Sequence, residues 1–317
     1  MQGQSAKPAP VYKEAPFFKR LAIDFQKHKY KYLLILPIIV YLILFCYKPM
    51  YGLVIAFKNY RPTRGIWGSN WVGFLWFETF FKDPYFWRLL RNTFTISALT
   101  ILFGFPAPIL LALLLNEVRN NKFKRTVQTI TYMPYFISLV VTCSLLKIYC
   151  MENGLFPQIM ELFGAQRQNL LANPKYFYPI YILSDIWQGI GWNSIIYLAA
   201  LSGIDQEQYE AARIDGANRL QQVIHITLPG LMPTITILFI LRMGNILNVG
   251  YEKILLLYNP STYEVADVLS TYTYRTGLEN QQYSLSTAVG LFNTMVNVVF
   301  LLITNYISKK STESGLF

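Results

Sequence analysis

From residue 32 to residue 307 the chain alternates long apolar runs with shorter polar segments. The runs lie at about 32–47, 90–115, 126–149, 179–201, 226–249 and 284–307, and hardly any charged residue interrupts them. A hydrocarbon layer of ~30 Å takes ~20 helical residues per crossing, and only structures that satisfy their own backbone hydrogen bonds survive inside it. The pattern therefore predicts an all-α polytopic membrane protein with six transmembrane helices. The second run carries Gly104, Pro106 and Pro108. Missing amide donors there should bend the helix without ending it.

Composition agrees with this reading. Of the 317 residues 53% are hydrophobic and only 14% charged, well below the ~25% charged residues of soluble domains. The excess of 28 Lys+Arg over 17 Asp+Glu would suggest nucleic acid in a soluble chain. Here the basic residues collect between apolar runs, so they read as topology signals and contacts to anionic lipid, with no nucleic-acid partner. Lys and Arg total 15 in the segments 1–31, 116–125, 203–225 and 308–317, against 10 in the alternate segments. By the positive-inside rule both termini are cytoplasmic. The segment 48–88 is rich in aromatics, among them Trp67, Trp71, Trp76 and Trp87, and reads as an external loop with an interfacial helix. Cys46, Cys143, Cys150, His28 and His225 have neither the spacing of metal ligands nor that of a disulfide framework.

The segment 203–225, between the fourth and fifth runs, is the most informative. Asp205 can cap a helix, with Gln208 as return partner, and Gly216 can supply the left-handed residue that ends it. A second short helix, about 218–224, follows, and Pro229 stands near the start of the fifth run, where its missing N–H costs least. Glu210 beside Ala211 and Ala212 makes a docking surface: the small side chains admit another backbone, and the carboxylate offers a partner arginine a bidentate target.

Glu210-Ala211-Ala212, three residues, Gly216, nine residues, then Ile226, one residue, and Leu228-Pro229 resemble the EAA loop of permeases of binding-protein-dependent, type I ABC importers. The stretches beginning at Lys48, Asn248, Tyr258 and Tyr283 are similar to the subgroup linked to complex oligo- and polysaccharide uptake. The resemblance implies the type I importer permease (MetI-like) fold and a carbohydrate substrate. It also implies a heterodimer with a second permease, two cytoplasmic ATPase subunits and an extracytoplasmic solute-binding protein. Glu210, Ala211, Ala212, Asp215, Gly216, Ile226, Leu228 and Pro229 are then the residues that couple transport to the ATPase.

No G-x-x-x-x-G-K-[ST] loop, G-x-S-x-G elbow or H-E-x-x-H helix occurs. The chain is expected to be no enzyme and to hold no cofactor, with ATP and magnesium on a partner ATPase. The alternative function is an ion-gradient-driven secondary transporter or channel; such proteins favour paired broken helices and buried acids, whereas this sequence has one acid well inside a run and the coupling-loop pattern.

Polar positions within the runs are candidates for the pathway, because they are costly in lipid. They are Asp185, Trp187, Gln188, Trp192 and Asn193 on the fourth run, Arg242, Asn245 and Asn248 on the fifth, and Asn293 and Asn297 on the sixth. The fifth-run trio shares an arc of ~120° if helical. Asp185 and Arg242 stand at similar depth. Either Arg242 contacts substrate, an acidic sugar for instance, with Trp192 or Trp187 stacking on a ring, or the two charges pair and lock two spans together. Asn293 and Asn297 either face the pathway or make interhelical amide bonds.

Overall fold

The structure is a computed structural model that describes residues 17–312 and 315–316, with side chains over 27–310 and 315–316. The expected end segments 1–31 and 308–317 thus fall partly outside the described residues. The chain divides into two compact units, 1–54 and 55–317, considered separately.

The first unit is helical. Helix α1, Phe17–Tyr41, departs from helical geometry at His28 (φ −120°, ψ 24°) and contains Pro37. It leads into a π-turn over Leu42–Tyr47. Every side chain from Lys29 to Tyr51 is exposed within this chain. Exposed apolar side chains over a helix of this length suit contact with lipid.

The second unit opens with a two-residue antiparallel pairing, β1 (Lys58–Asn59) with β2 (Asn70–Trp71), and a short helix, α2 (Leu75–Phe81). Ring packing organises this region: Phe57 stacks on Trp71, and Phe80 meets Phe86 and Phe292 edge-on. Helices α3 (Phe86–Leu99) and α4 (Pro106–Glu117) form the second span. Between them the Phe105 N–H reaches back to the Thr100 carbonyl, 3.0 Å, an i→i−5 bond that absorbs the proline-rich stretch as a π-bulge. The run bends and continues.

The third run differs from expectation. In place of one helix over 126–149 there are two, α5 (Asn121–Tyr132) and α6 (Leu139–Cys150), separated by a tight turn at Met133–Phe136 and extended backbone at Ile137 and Ser138. Pro134 stands in that turn, and the Ser138 side chain caps α6 by accepting from Val141 N–H. A proline that cannot donate, followed by a residue able to start a new helix, divides the run.

Helix α7 (Pro174–Leu201) is the longest in the centre of the unit and packs against α4, α5 and the fifth span. At Gly191 a Cβ would collide with the Thr131 carbonyl oxygen and with Tyr132, so glycine is what lets α5 and α7 touch. After α8 (Gln206–Ile214) a helical stretch runs from Arg219 into α9 (Leu228–Met243). α10 (Tyr251–Leu257), α11 (Leu269–Tyr274) and α12 (Tyr283–Thr312) complete the unit.

Five helical stretches among the described residues are long and apolar enough to cross a membrane: Lys27–Phe57, Phe86–Glu117, Leu139–Glu161, Arg219–Met243 and Tyr283–Lys310. α7, at 28 residues, has the length but is not among them, because its polar residues lower its hydropathy. One side of it, with Phe177, Tyr181, Ser184, Gly191, Ser194 and Tyr197, is buried against its neighbours, and the other, with Leu183, Trp187, Trp192 and Ile196, is exposed within this chain.

Two expectations about the fifth run are corrected. The helix ends at Met243, not Val249, and turns over 244–248 follow. Asn245 and Asn248 are therefore not helical neighbours of Arg242. The segment 250–283, which by its place between the fifth and sixth runs reads as an external loop, is packed into the protein: Lys253, Ile254, Leu257, Asp267, Leu269 and Tyr272 are buried. Its apolar residues join core clusters with Phe177, Tyr181 and Ile182 of α7 and with Leu89 of α3.

Candidate functional site: a capped loop and a polar cavity

The loop between α7 and α9 is built from local hydrogen bonds. Asp205 Oδ1 accepts from the Glu207 N–H at 3.0 Å and starts α8. Gly216 has φ +80°. Its N–H donates to the Arg213 carbonyl at 3.1 Å, and the Ala217 N–H to the Ala212 carbonyl at 2.8 Å. This pair of bonds is a Schellman closure, which satisfies the last carbonyls of a helix only if the next residue turns left-handed. The reciprocal capping box expected at Asp205 with Gln208 stands one helix later: Asn218 Oδ1 accepts from Gln221 N–H (2.9 Å) while Gln221 Oε1 accepts from Asn218 N–H (2.8 Å). The second short helix is not separate. It passes through a π-turn at Val223–Thr227 directly into α9, with Ile226, Leu228 and Pro229 at the joint.

Two contacts tie the loop to the spans. The Tyr209 hydroxyl lies 3.0 Å from Thr227 Oγ1, and Thr227 is fully buried. Arg219 lies 3.8 Å from Glu117 at the end of α4. No residue of α8 is buried. Glu210, Ala211 and Ile214 face outward, Ile214 at 87% exposure, while Ala212 and Asp215 border a small hollow with Gly216 and Ile226. Among the described residues Glu210 has no ion-pair partner. The loop is thus a short helix held at both ends and anchored by one side, with its other side bare.

The second feature is a cavity of about 730 Å³ bordered by the bend of the second span, α7 and the end of α9. Asp185, Trp192, Asn193, Arg242, Asn245 and Asn248 line it, together with Thr100, Gly104 and Pro108. Tertiary folding thus reunites the fifth-run trio around one space although only Arg242 is helical. Trp192 stacks on Tyr135, centroids 4.6 Å apart and planes 4° from parallel.

Other candidates lie elsewhere. Trp187 borders an apolar groove with Leu145, Tyr149 and Leu183. Gln188 donates to the Ile137 carbonyl (3.1 Å) and lies 3.4 Å from Thr142 Oγ1, satisfying backbone left open by the broken third run. Asn297 Oδ1 accepts from the Leu247 N–H at 2.9 Å, buried, so it holds the turn after α9. Asn293 donates to Asn248 Oδ1 at 2.8 Å. The polar face of α12 is therefore engaged in supporting 244–248.

Asp185 and Arg242 do not pair. Asp185 Oδ1 accepts from Lys253 Nζ at 3.3 Å, and the same ammonium donates to the Tyr181 carbonyl at 3.2 Å. It also lies 4.9 Å from the centre of the Tyr181 ring. The Lys253 side chain is 3% exposed and that of Asp185 48%. Burial pulls the Lys253 ammonium below the usual lysine range, and Asp185 opposes the shift. Sequence reasoning missed Lys253, because it follows the apolar run in what reads as a loop. The only signal was the apolar residues flanking it, Ile254 to Leu257.

A second buried network went unseen for the same reason. Asp267, wholly buried, accepts from Arg275 at 2.8 and 3.2 Å, from Arg88 at 3.2 Å and from the Thr271 hydroxyl at 2.9 Å. The Tyr272 hydroxyl donates to Asp83 at 2.6 Å; burial first, and then that carboxylate, push its phenol up. These bonds fasten 264–275 to the start of α3.

Comparison with known proteins gives the class. Residues 104–313 match the family of binding-protein-dependent transport system inner membrane components, and the chain belongs to that family. It is a multi-pass membrane transport permease. It is 46% identical over 300 residues to the polygalacturonan/rhamnogalacturonan transport system permease protein YteP of Bacillus subtilis (strain 168), covering 94% of each chain. To Protein LplB of the same organism it is 44% identical over 293 residues, 92% of each. Among solved structures it resembles a chain of a bacterial alginate ABC transporter crystallised with an alginate pentasaccharide-bound periplasmic protein, with a TM-score of 0.86 and 44% identity. That match covers 94% of this chain and 100% of the other.

Proposed function

We propose that this chain is one of two permease subunits of an ATP-driven importer for carbohydrate, oligosaccharides or fragments of polysaccharide, in the cytoplasmic membrane. Both termini and the 203–225 loop face the cytoplasm. A solute-binding protein delivers sugar on the other side, and the partner permease supplies the other wall of the pathway. Two ATPase subunits bind and hydrolyse ATP with magnesium; this chain performs no chemistry itself.

The observation that carries this reading is the loop. Caps at Asp205 and Gly216 make α8 a short rigid lever, its joints are the ends of α7 and α9, and its outward face of Glu210, Ala211 and Ile214 is exposed among the described residues. Movement of an ATPase groove seated on that face passes to both helices, which border the polar cavity. Alternating access then follows from ATP-driven closure outside this chain. The coupling residues Glu210, Ala211, Ala212, Asp215, Gly216, Ile226, Leu228 and Pro229 fall on the lever or its joint.

Affinity purification of the tagged chain from its membranes, followed by reconstitution into liposomes, tests this. The expected result is co-purification of a second permease and an ATPase, with sugar uptake that requires ATP and the binding protein. Uptake driven by an ion gradient in the absence of nucleotide would overturn it.

A further inference from the structure

The charges around the polar cavity do not balance, and the imbalance has a cause outside the cavity. Its lining holds one acid, Asp185, and one fixed cation, Arg242. Judged from the lining alone the space is neutral. Lys253 changes that count: it stands behind Asp185 on α10, buried, and its ammonium meets the carboxylate at 3.3 Å. Among the described residues Arg242 has no carboxylate in reach, so its charge faces the cavity uncompensated. A lone guanidinium near hydrocarbon is expensive unless water or a ligand meets it. Its planar fork of donors fits a carboxylate in two parallel bonds. Asn193 in the same lining offers a neutral donor and acceptor suited to hydroxyl groups, and Asn245 and Asn248, although bonded to Leu241, Asn293 and each other, each keep a second amide N–H for one.

We propose that Lys253 sets the charge preference of this pathway: by neutralising Asp185 it leaves Arg242 as the net charge of the cavity, which therefore favours sugars bearing carboxylates, uronate oligosaccharides, over neutral ones. This rests on the carbohydrate-import reading above. Arg242 is the group that touches the carboxylate; Lys253 is a positioning residue that acts through Asp185 and never meets the sugar. Loss of Lys253 would return Asp185 to the cavity as a bare carboxylate repelling an acidic substrate.

The test uses the whole complex in liposomes with ATP inside, its binding protein outside, and two probes, a short oligogalacturonate and its methyl ester. Wild type should favour the acid. Arg242→Gln should lower acid uptake about tenfold or more, the scale of a lost charge-assisted hydrogen bond, and change ester uptake by less than about threefold. Lys253→Met should impair acid uptake in the same selective way. The neutral pair Lys253→Met with Asp185→Asn should restore acid uptake, because Arg242 is again unopposed. A merely structural ion pair also predicts rescue by the neutral pair, since no charge is then left stranded, but it predicts equal losses for acid and ester in Lys253→Met, so the difference between the probes is the readout that decides. If Lys253→Met fails to assemble, the neutral pair decides alone: it should keep the wild-type preference for acid. The proposal is overturned if wild type moves acid and ester equally, if Arg242→Gln lowers both alike, or if the neutral pair loses acid uptake. Failure of wild type to move either sugar, with the complex intact and hydrolysing ATP, would sink the carbohydrate reading itself.

Discussion

Gly216 offers the sharpest test of the lever. Its φ of +80° is required by the Schellman closure, and a Cβ added there would meet nothing within 4 Å. A side chain therefore costs only backbone strain, with no steric clash to confuse the result. Alanine in the left-handed region costs about 1–2 kcal/mol. Restricting the unfolded chain gives back about 0.4–1 kcal/mol. The net is on the order of 1 kcal/mol, roughly a fivefold shift of the loop from its closed form. Valine, branched at Cβ, is a true outlier at positive φ and should cost more, whereas asparagine tolerates the region. The assay is the ratio of sugar imported to ATP hydrolysed in reconstituted complex, with recovery of the ATPase on the tagged permease as a check of assembly. Coupling should fall in the order Gly, Asn, Ala, Val. Wild-type coupling and assembly in Gly216→Val would refute the idea that this turn transmits force.

Three further outcomes follow from the packing. Asp205→Ala removes the cap of α8 and should cost about 1 kcal/mol locally, seen as faster amide exchange at 206–209 with the rest of the chain unchanged. Asp267→Asn leaves two arginine partners of a fully buried acid without their counter-charge; destabilisation of about 3 kcal/mol or more is expected, read as a lower melting temperature of the purified complex. Lys253, whose pKa is lowered from 10.5 mainly by burial, sheds its proton in the folded state before it does so in the unfolded one. Between its folded pKa and pH 10.5 the unfolded chain binds more protons, so this group's contribution to stability rises with pH. Asp185, Tyr181 and Cys143 face it, and Lys253→Met should remove that part of the slope in melting temperature against pH.

Much of this protein is legible in its amino-acid order because the relevant physics is local. An apolar run long enough to cross a bilayer is visible wherever it stands, and so is the glycine that ends α8. The bend at Gly104, Pro106 and Pro108 also needed only neighbouring residues, since the missing donors belong to the bend itself. The division of the third run at Pro134 is local in the same sense, since the missing donor and the Ser138 cap stand side by side in the sequence.

What only the tertiary structure decided is which distant groups meet. Arg242 and Asp185 share a cavity yet stay apart, because α10 brings Lys253 back from sixty-eight positions away to take the carboxylate. Asn297 reads as a pathway residue until the turn after Met243 presents the amide of Leu247 to it. In each case a buried polar group must be satisfied by whatever the packed chain sets beside it, and that neighbour is chosen by how helices assemble, a property that residue spacing along one helix does not contain.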